Sequence, residues 1–157
     1  MAPKGKQSFK ATKISINSKY GLLSTQWNKF VVDVMLENAE RELRSKGVTQ
    51  ENIVKIEVPG AYELPLAAKR MLEQDIDAVI ALGAVIKGET PHFDFVSSSC
   101  ANGLTRVSLD ANKPVLFGVL TTETEEQAIQ RADPQQGNKG AEVAQSAMEL
   151  LEQLASL

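Results

Sequence analysis

Residues 77–95 read DAVIALGAVIKGETPHFDF, and they restrict the possible folds more than any other stretch of this chain. From Ala78 to Ile86 the chain is apolar without interruption, bounded by Asp77 and Lys87. A half-exposed strand would alternate with polar residues, so a run like this reads as a strand buried on both faces of a parallel sheet. The run breaks at Lys87-Gly88-Glu89-Thr90-Pro91, and Val96, Cys100, Leu104 and Val107 then recur at helical spacing. Strand, glycine-bearing turn and helix start together make an anion site. Free backbone N–H groups and the positive end of the helix dipole both face such a turn. The only histidine of the chain, His92, falls in the same place, which marks it as the candidate active centre.

The rest of the chain arranges itself around that strand. Residues 1 to about 12 are polar, carry Lys4, Lys6 and Lys10, and are expected to be poorly ordered alone. Ile14, Ile16 and Tyr20-Gly21-Leu22-Leu23 suggest a first strand region, so residues 1–18 read as a tail or strand before one domain at 19–157. Val31, Met35, Ala39 and Leu43 recur every four residues from Asn28 on, with Gly47 as the stop of that helix. Ile53 to Val58 alternates as an edge strand does. A helix follows from about Tyr62 to Gln74, with Pro65 tolerable in its first turn. The next helix runs from about Asp94 to Asp110, and a fourth strand covers Pro114 to Leu120. Thr122/Glu125 and Thr124/Gln127 give two overlapping capping boxes for a helix to Ala132. After a loop at Asp133 to Gly137, a last amphipathic helix spans about Asn138 to Leu154. Strands alternating with helices predict an α/β fold: a three-layer α/β/α sandwich, flavodoxin-like, around a four-stranded parallel sheet.

Composition narrows the function. A formal charge of −3 argues against nucleic acid as the partner, and the apolar runs are too short to span a membrane. One cysteine, Cys100, excludes an internal disulfide and falls on the apolar face of a helix, as a small core residue would. One Cys and one His cannot build a usual zinc site. A reducing cytoplasm is the simplest location.

Ligands of open α/β sheets bind beyond the carboxyl ends of the strands. In this chain those ends present Trp27-Asn28, Gly60-Ala61-Tyr62-Glu63, Ala84 to His92, and Thr121 onward. Aromatic rings, a carboxylate, an anion-binding turn and a histidine therefore share one rim. That combination suits a flat heterocycle and a phosphorylated partner.

Taken together, WN at 27–28, VPGAYELP at 58–65, GAVIKGETPHFDFV at 83–96, PVLFGVLTTETEEQAIQRA at 114–132 and GNKGAE at 137–142 resemble the lumazine synthase family. The resemblance runs from about Lys19 to Leu154. It implies the condensation of 5-amino-6-(D-ribitylamino)uracil with 3,4-dihydroxy-2-butanone 4-phosphate to 6,7-dimethyl-8-ribityllumazine, phosphate and water, a step of riboflavin biosynthesis. It also implies that no metal or organic cofactor is needed. The family forms pentamers, some closed into icosahedral shells of sixty subunits, with active sites shared between neighbours. Riboflavin synthase is a further possible partner.

The same resemblance distributes the roles. His92 matches the proton-transfer histidine, a residue type suited to imine formation and phosphate loss. Glu89 and Thr90 match the phosphate loop, Glu89 through its backbone N–H only. Arg131 matches the phosphate clamp, where a planar fork suits the anion better than a lysine would. Trp27 matches the ring that stacks on the pyrimidine, a place where many relatives carry phenylalanine. Phe117 matches an aromatic covering the heterocycle from the adjacent subunit. Ala61, Tyr62 and Glu63 match the segment that receives the ribityl chain, and Ala84, Val85 and Ile86 match main-chain contacts to the pyrimidine edge. Lys139 matches a lysine near the pyrimidine carbonyls.

Other readings are weaker. His92, Asp94 and Ser97 to Ser99 suggest a serine hydrolase, but the G-x-S-x-G elbow is missing. Neither a Walker loop nor a G-x-G-x-x-G fingerprint occurs. A non-catalytic lumazine- or flavin-binding shell protein would be expected to have lost His92 or Arg131. An archaeal-type riboflavin synthase shares the fold but would not need the GETPH phosphate loop.

Overall fold

The computed structural model describes residues 9–157. Four parallel strands, β1 (Tyr20–Thr25), β2 (Ile53–Val58), β3 (Ala78–Ile86) and β4 (Val115–Thr122), form one sheet in the order β2-β1-β3-β4. Six helices accompany it: α1 (Lys13–Asn17), α2 (Lys29–Ser45), α3 (Leu64–Leu72), α4 (His92–Ala111), α5 (Glu125–Ala132) and α6 (Lys139–Ala155). This is the expected three-layer α/β/α sandwich of flavodoxin-like type.

Side-chain alternation along the strands divides the core in two. Tyr20 and Leu22 of β1 and Ala78, Ile80 and Leu82 of β3 pack with buried residues of α2, α5 and α6. Leu23, Val79 and Ala81 point the other way, toward α3 and toward Cys100 and Leu104 of α4. The apolar run 78–84 is buried throughout, as a strand covered on both faces must be. Cys100 is fully buried in the α3–α4 half, and burial pushes its thiol up to about 12. At one crossing the backbones nearly touch. A Cβ on Gly140 of α6 would come within 2.1 Å of the Met35 carbonyl oxygen of α2, so only glycine fits there.

Several expectations change. The strand anticipated at Ile14–Ile16 is the short helix α1. Thr12 caps it by accepting from Ile14 N–H, and Ser15 is buried with its hydroxyl 2.5 Å from Glu152 Oε1. This local cap and this long-range bond outweigh the β preference of two isoleucines. Residues 9–12 are tied down rather than loose: Lys46 Nζ donates to the Phe9 carbonyl at 3.1 Å, and Thr12 N–H to Glu152 at 2.6 Å. The tail expectation for residues 1–8 lies outside the described residues. Of the two overlapping capping boxes only Thr124/Gln127 forms, because the Thr122 hydroxyl ends β4 by donating to the Thr124 carbonyl at 2.8 Å. The helix placed at Tyr62 opens with a 3-10 turn, Ala61–Glu63, and becomes α-helical at Leu64, with Pro65 in the first turn. Helix α4 begins at His92, two residues before the expected Asp94.

Strand β2 is the edge strand that its alternation suggests. Val54 and Ile56 nevertheless remain well exposed, as do Leu66, Phe95 and Leu109 on α3 and α4.

Candidate active site

The strand order places a crevice. After β1 the chain leaves toward β2, and after β3 it leaves toward β4, so the two connections diverge at the carboxyl ends of adjacent strands. Such a switch point is where ligands of doubly wound sheets bind. A cleft of about 570 Å³ opens there, lined by Trp27 and Asn28, by Gly60 to Glu63, by Ala84 to Ile86, and by His92 and Val96.

One wall of this cleft is a strand edge. Pairing of β1 with β3 ends at Ser24 and Leu82, whereas β3 continues against β4 as far as Ile86 and Thr122. On the β1 side, residues 83–86 therefore outrun their neighbour and turn main-chain groups toward the cleft. Groups at such an edge need partners, which a ligand can provide. Asn28 supplies one of them, its Nδ2 donating to the Ala84 carbonyl at 2.8 Å.

The opposing wall is aromatic. The Trp27 side chain is held at its backbone, with N–H donating to the Pro59 carbonyl at 3.2 Å, while 72% of the residue stays exposed. A Cβ on Gly60 would lie 3.2 Å from Trp27 Cδ1 and 3.3 Å from Glu63 Oε2, so the missing side chain leaves the room that ring and carboxylate occupy. Tyr62 is also largely exposed at this rim.

His92 opens the 20-residue helix α4, whose first turn already closes on the Pro91 carbonyl, with Asp94 N–H donating to it at 3.0 Å. Its own N–H points to Thr90 Oγ1 at 3.4 Å. Glu89 and Thr90 are exposed in the loop between β3 and α4, immediately beside the cleft but not in its wall.

Phe117, Arg131 and Lys139 are somewhere else. They line a second cleft, of about 390 Å³, at the outer edge of β4, with Gly137 and Glu142. Among the described residues the two clefts share no lining residue. The 133–137 turn shapes this second site. Asp133 accepts from Gln135 N–H at 2.8 Å and from the Gln136 amide at 3.0 Å, and both bonds hold its carboxyl below the usual carboxylate range. Gly137 then passes so close to Arg131 that a Cβ would sit 2.7 Å from its carbonyl oxygen. Arg131 spends one N–H on the Gln127 carbonyl at 3.2 Å, and its fork has further donors to offer an anion. Lys139 Nζ rests 3.0 Å from Glu142 Oε1.

Ten of the residues singled out from the sequence thus gather beside or in the switch-point cleft: Trp27, Ala61, Tyr62, Glu63, Ala84, Val85, Ile86, Glu89, Thr90 and His92. Phe117, Arg131 and Lys139 gather at the other. Asn28, Gly60 and Gly137 line the clefts as well, and their only signal in the sequence is their place inside the WN, VPGAYELP and GNKGAE segments.

The chemistry this arrangement supports is stacking and edge recognition of a planar ring in one cleft, and anion capture in the other. The model of the 6,7-dimethyl-8-ribityllumazine synthase family matches residues 17–155 of the 157-residue chain. The chain belongs to that family of riboflavin biosynthesis.

Proposed function

We propose that the protein condenses 5-amino-6-(D-ribitylamino)uracil with 3,4-dihydroxy-2-butanone 4-phosphate to give 6,7-dimethyl-8-ribityllumazine, phosphate and water. The observation that carries this reading is the open edge of β3 at residues 83–86, facing Trp27 and flanked by His92. A pyrimidine presents alternating donors and acceptors along its rim, and a bare strand edge presents the same alternation. Its face stacks on Trp27, and the main chain of Ala84, Val85 and Ile86 takes its edge. The ribityl chain lies along Ala61, Tyr62 and Glu63, whose carboxylate accepts from the hydroxyls.

The primary amine of the pyrimidine attacks the ketone carbonyl of the phosphorylated partner. Imine formation releases one water, phosphate leaves by elimination as a proton comes off the neighbouring carbon, and ring closure releases a second water. His92 stands where it can pass these protons. Glu89 N–H, the Thr90 hydroxyl and Arg131 hold the phosphate. No metal or organic cofactor is invoked in these steps.

Arg131, Phe117 and Lys139 line a separate cleft, and we assign them to the site of the adjacent subunit. The exposed apolar residues Val54, Ile56, Leu66, Phe95 and Leu109 supply surface that association would cover. The assembly is a homopentamer, and the compact 133–137 turn favours closure of twelve pentamers into a shell. Light scattering that finds only isolated pentamers in fresh preparations would remove the shell.

The direct test mixes both substrates with the protein and follows lumazine fluorescence. Product well above the spontaneous rate establishes the reaction. Tight lumazine binding without product identifies a non-catalytic shell protein instead.

A further inference from the structure

The connection between β1 and α2 is short, and it is pinned from both sides. Toward β2, Gln26 N–H donates to the Val58 carbonyl at 2.9 Å and Trp27 N–H to the Pro59 carbonyl at 3.2 Å. Toward β3, the side chain of Asn28 reaches a residue 56 positions away, the Ala84 carbonyl. An asparagine at the N-cap ordinarily turns its oxygen onto an amide of its own helix. Asn28 is the N-cap of α2 yet makes no such bond, and it sits in the left-handed region at φ 58°. The local geometry is given over to a distant contact.

That contact joins the two walls of the cleft. Ala84 lies beyond Leu82, the last β3 residue paired with β1, so its carbonyl has lost its sheet neighbour on that side. Trp27 immediately precedes Asn28. The amide therefore bridges the main chain that carries the stacking ring and the strand edge that faces it.

We infer that Asn28 is a positioning residue for the heterocyclic substrate: its amide, held on the Ala84 carbonyl, sets the gap between the Trp27 ring and the open edge of β3. This rests on the pyrimidine reading of the cleft. Asn28 acts on the pyrimidine through Trp27 and Ala84 and has no part in holding the phosphate.

The residue requirement is narrow. Left-handed backbone favours glycine, asparagine and aspartate, and of these only asparagine brings an N–H donor. Asn28→Asp keeps size and backbone preference but removes the donor, and Asn28→Gly keeps the backbone preference alone. The test measures KM for each substrate, kcat, and the fluorescence anisotropy of Trp27, the only tryptophan of the chain. Both variants are expected to raise KM for the ribitylaminouracil about tenfold, the scale of one lost hydrogen bond. KM for the butanone phosphate and kcat stay nearly unchanged, and the indole of the ligand-free protein becomes more mobile.

Unchanged pyrimidine KM with unchanged anisotropy overturns the inference. So does an equal rise in both KM values, which would assign Asn28 to the general folding of α2. If the wild-type protein makes no lumazine, the functional reading fails instead. The anisotropy comparison would still decide whether Asn28 holds Trp27.

Discussion

The two clefts at the carboxyl end of the sheet are made of opposite materials. The one at the switch point is walled by rings and main chain, and among the described residues Glu63 is its one carboxylate and His92 its one basic side chain. The one outside β4 has Arg131 and Lys139, with Glu142 paired to the lysine and Phe117 as its aromatic. The first can recognise a planar ring but has no strong cation for a phosphate. The second can capture an anion on the free edge of β4, but among its described lining residues it has no histidine to move protons. A reaction that joins a heterocycle to a phosphorylated sugar fragment needs both inventories. Their separation within one chain is consistent with the proposal that a second copy completes the site.

The largest effect should come from emptying the anion cleft. Arg131→Ala is expected to lower kcat/KM by about a hundredfold to a thousandfold, as loss of a charge-assisted donor does. Arg131→Lys should recover only part, because an ammonium cannot make the two-pronged contact. The comparison itself is tested by mixing. Arg131→Ala and His92→Ala subunits, each nearly inactive, are unfolded together and reassembled. If the clefts of neighbours combine, about a quarter of the sites regain both residues by random assortment, and activity returns in that proportion. Activity that stays at the level of the parents would place both residues in one subunit's site.

A smaller effect belongs to the ring cleft. Trp27→Ala is expected to raise KM for the pyrimidine about tenfold and Trp27→Phe only slightly, since stacking area is what changes. A fall in kcat with KM unmoved would show that the ring does something other than bind.

The smallest effect is acid sensitivity of the turn that presents Arg131. Hydrogen bonds from Gln135 and Gln136 keep the Asp133 carboxyl below its ordinary value. Its folded pKa is thus lower than its unfolded one, so the stabilisation is complete above about pH 4 and fades as pH falls through the folded value. Melting curves of wild type and Asp133→Asn should differ slightly at pH 6 and draw together as pH falls below the ordinary carboxylate range. A gap that is constant with pH would mean that the carboxylate charge plays no part.

Much of this was readable beforehand, and for identifiable reasons. The run from Ala78 to Ile86 has no other comfortable home than a doubly covered strand, so the centre of the sheet and the rim around it followed. Glycine at position 47, with φ 108°, marked the end of α2 because few other residues adopt that backbone. The failures were contests between local and distant bonds. Ile14 and Ile16 look like strand until Glu152, 137 residues from Ser15, offers its carboxylate. Thr122 and Thr124 have equal capping patterns, and only the reach of β4 decides between them. Asn28 was legible as a helix start, whereas its grip on Ala84 depends on two strands becoming neighbours. The division of the site into two clefts is of the same kind: order along the chain says which residues approach the rim, not on which side of β3 and β4 they arrive.

Cys100 has a consequence for experiment. Thiol reagents attack the thiolate, and this sulfur is both enclosed and kept protonated until strongly alkaline conditions. It can be alkylated only when the half of the core between α3, α4 and the sheet opens, and α4 is the helix whose first residue is His92. The rate at which a small alkylating agent consumes the thiol therefore clocks the opening of the element that presents the histidine. A ligand seated in the cleft should slow that clock in proportion to its occupancy, so one sulfur atom outside the cleft wall can report binding without turnover.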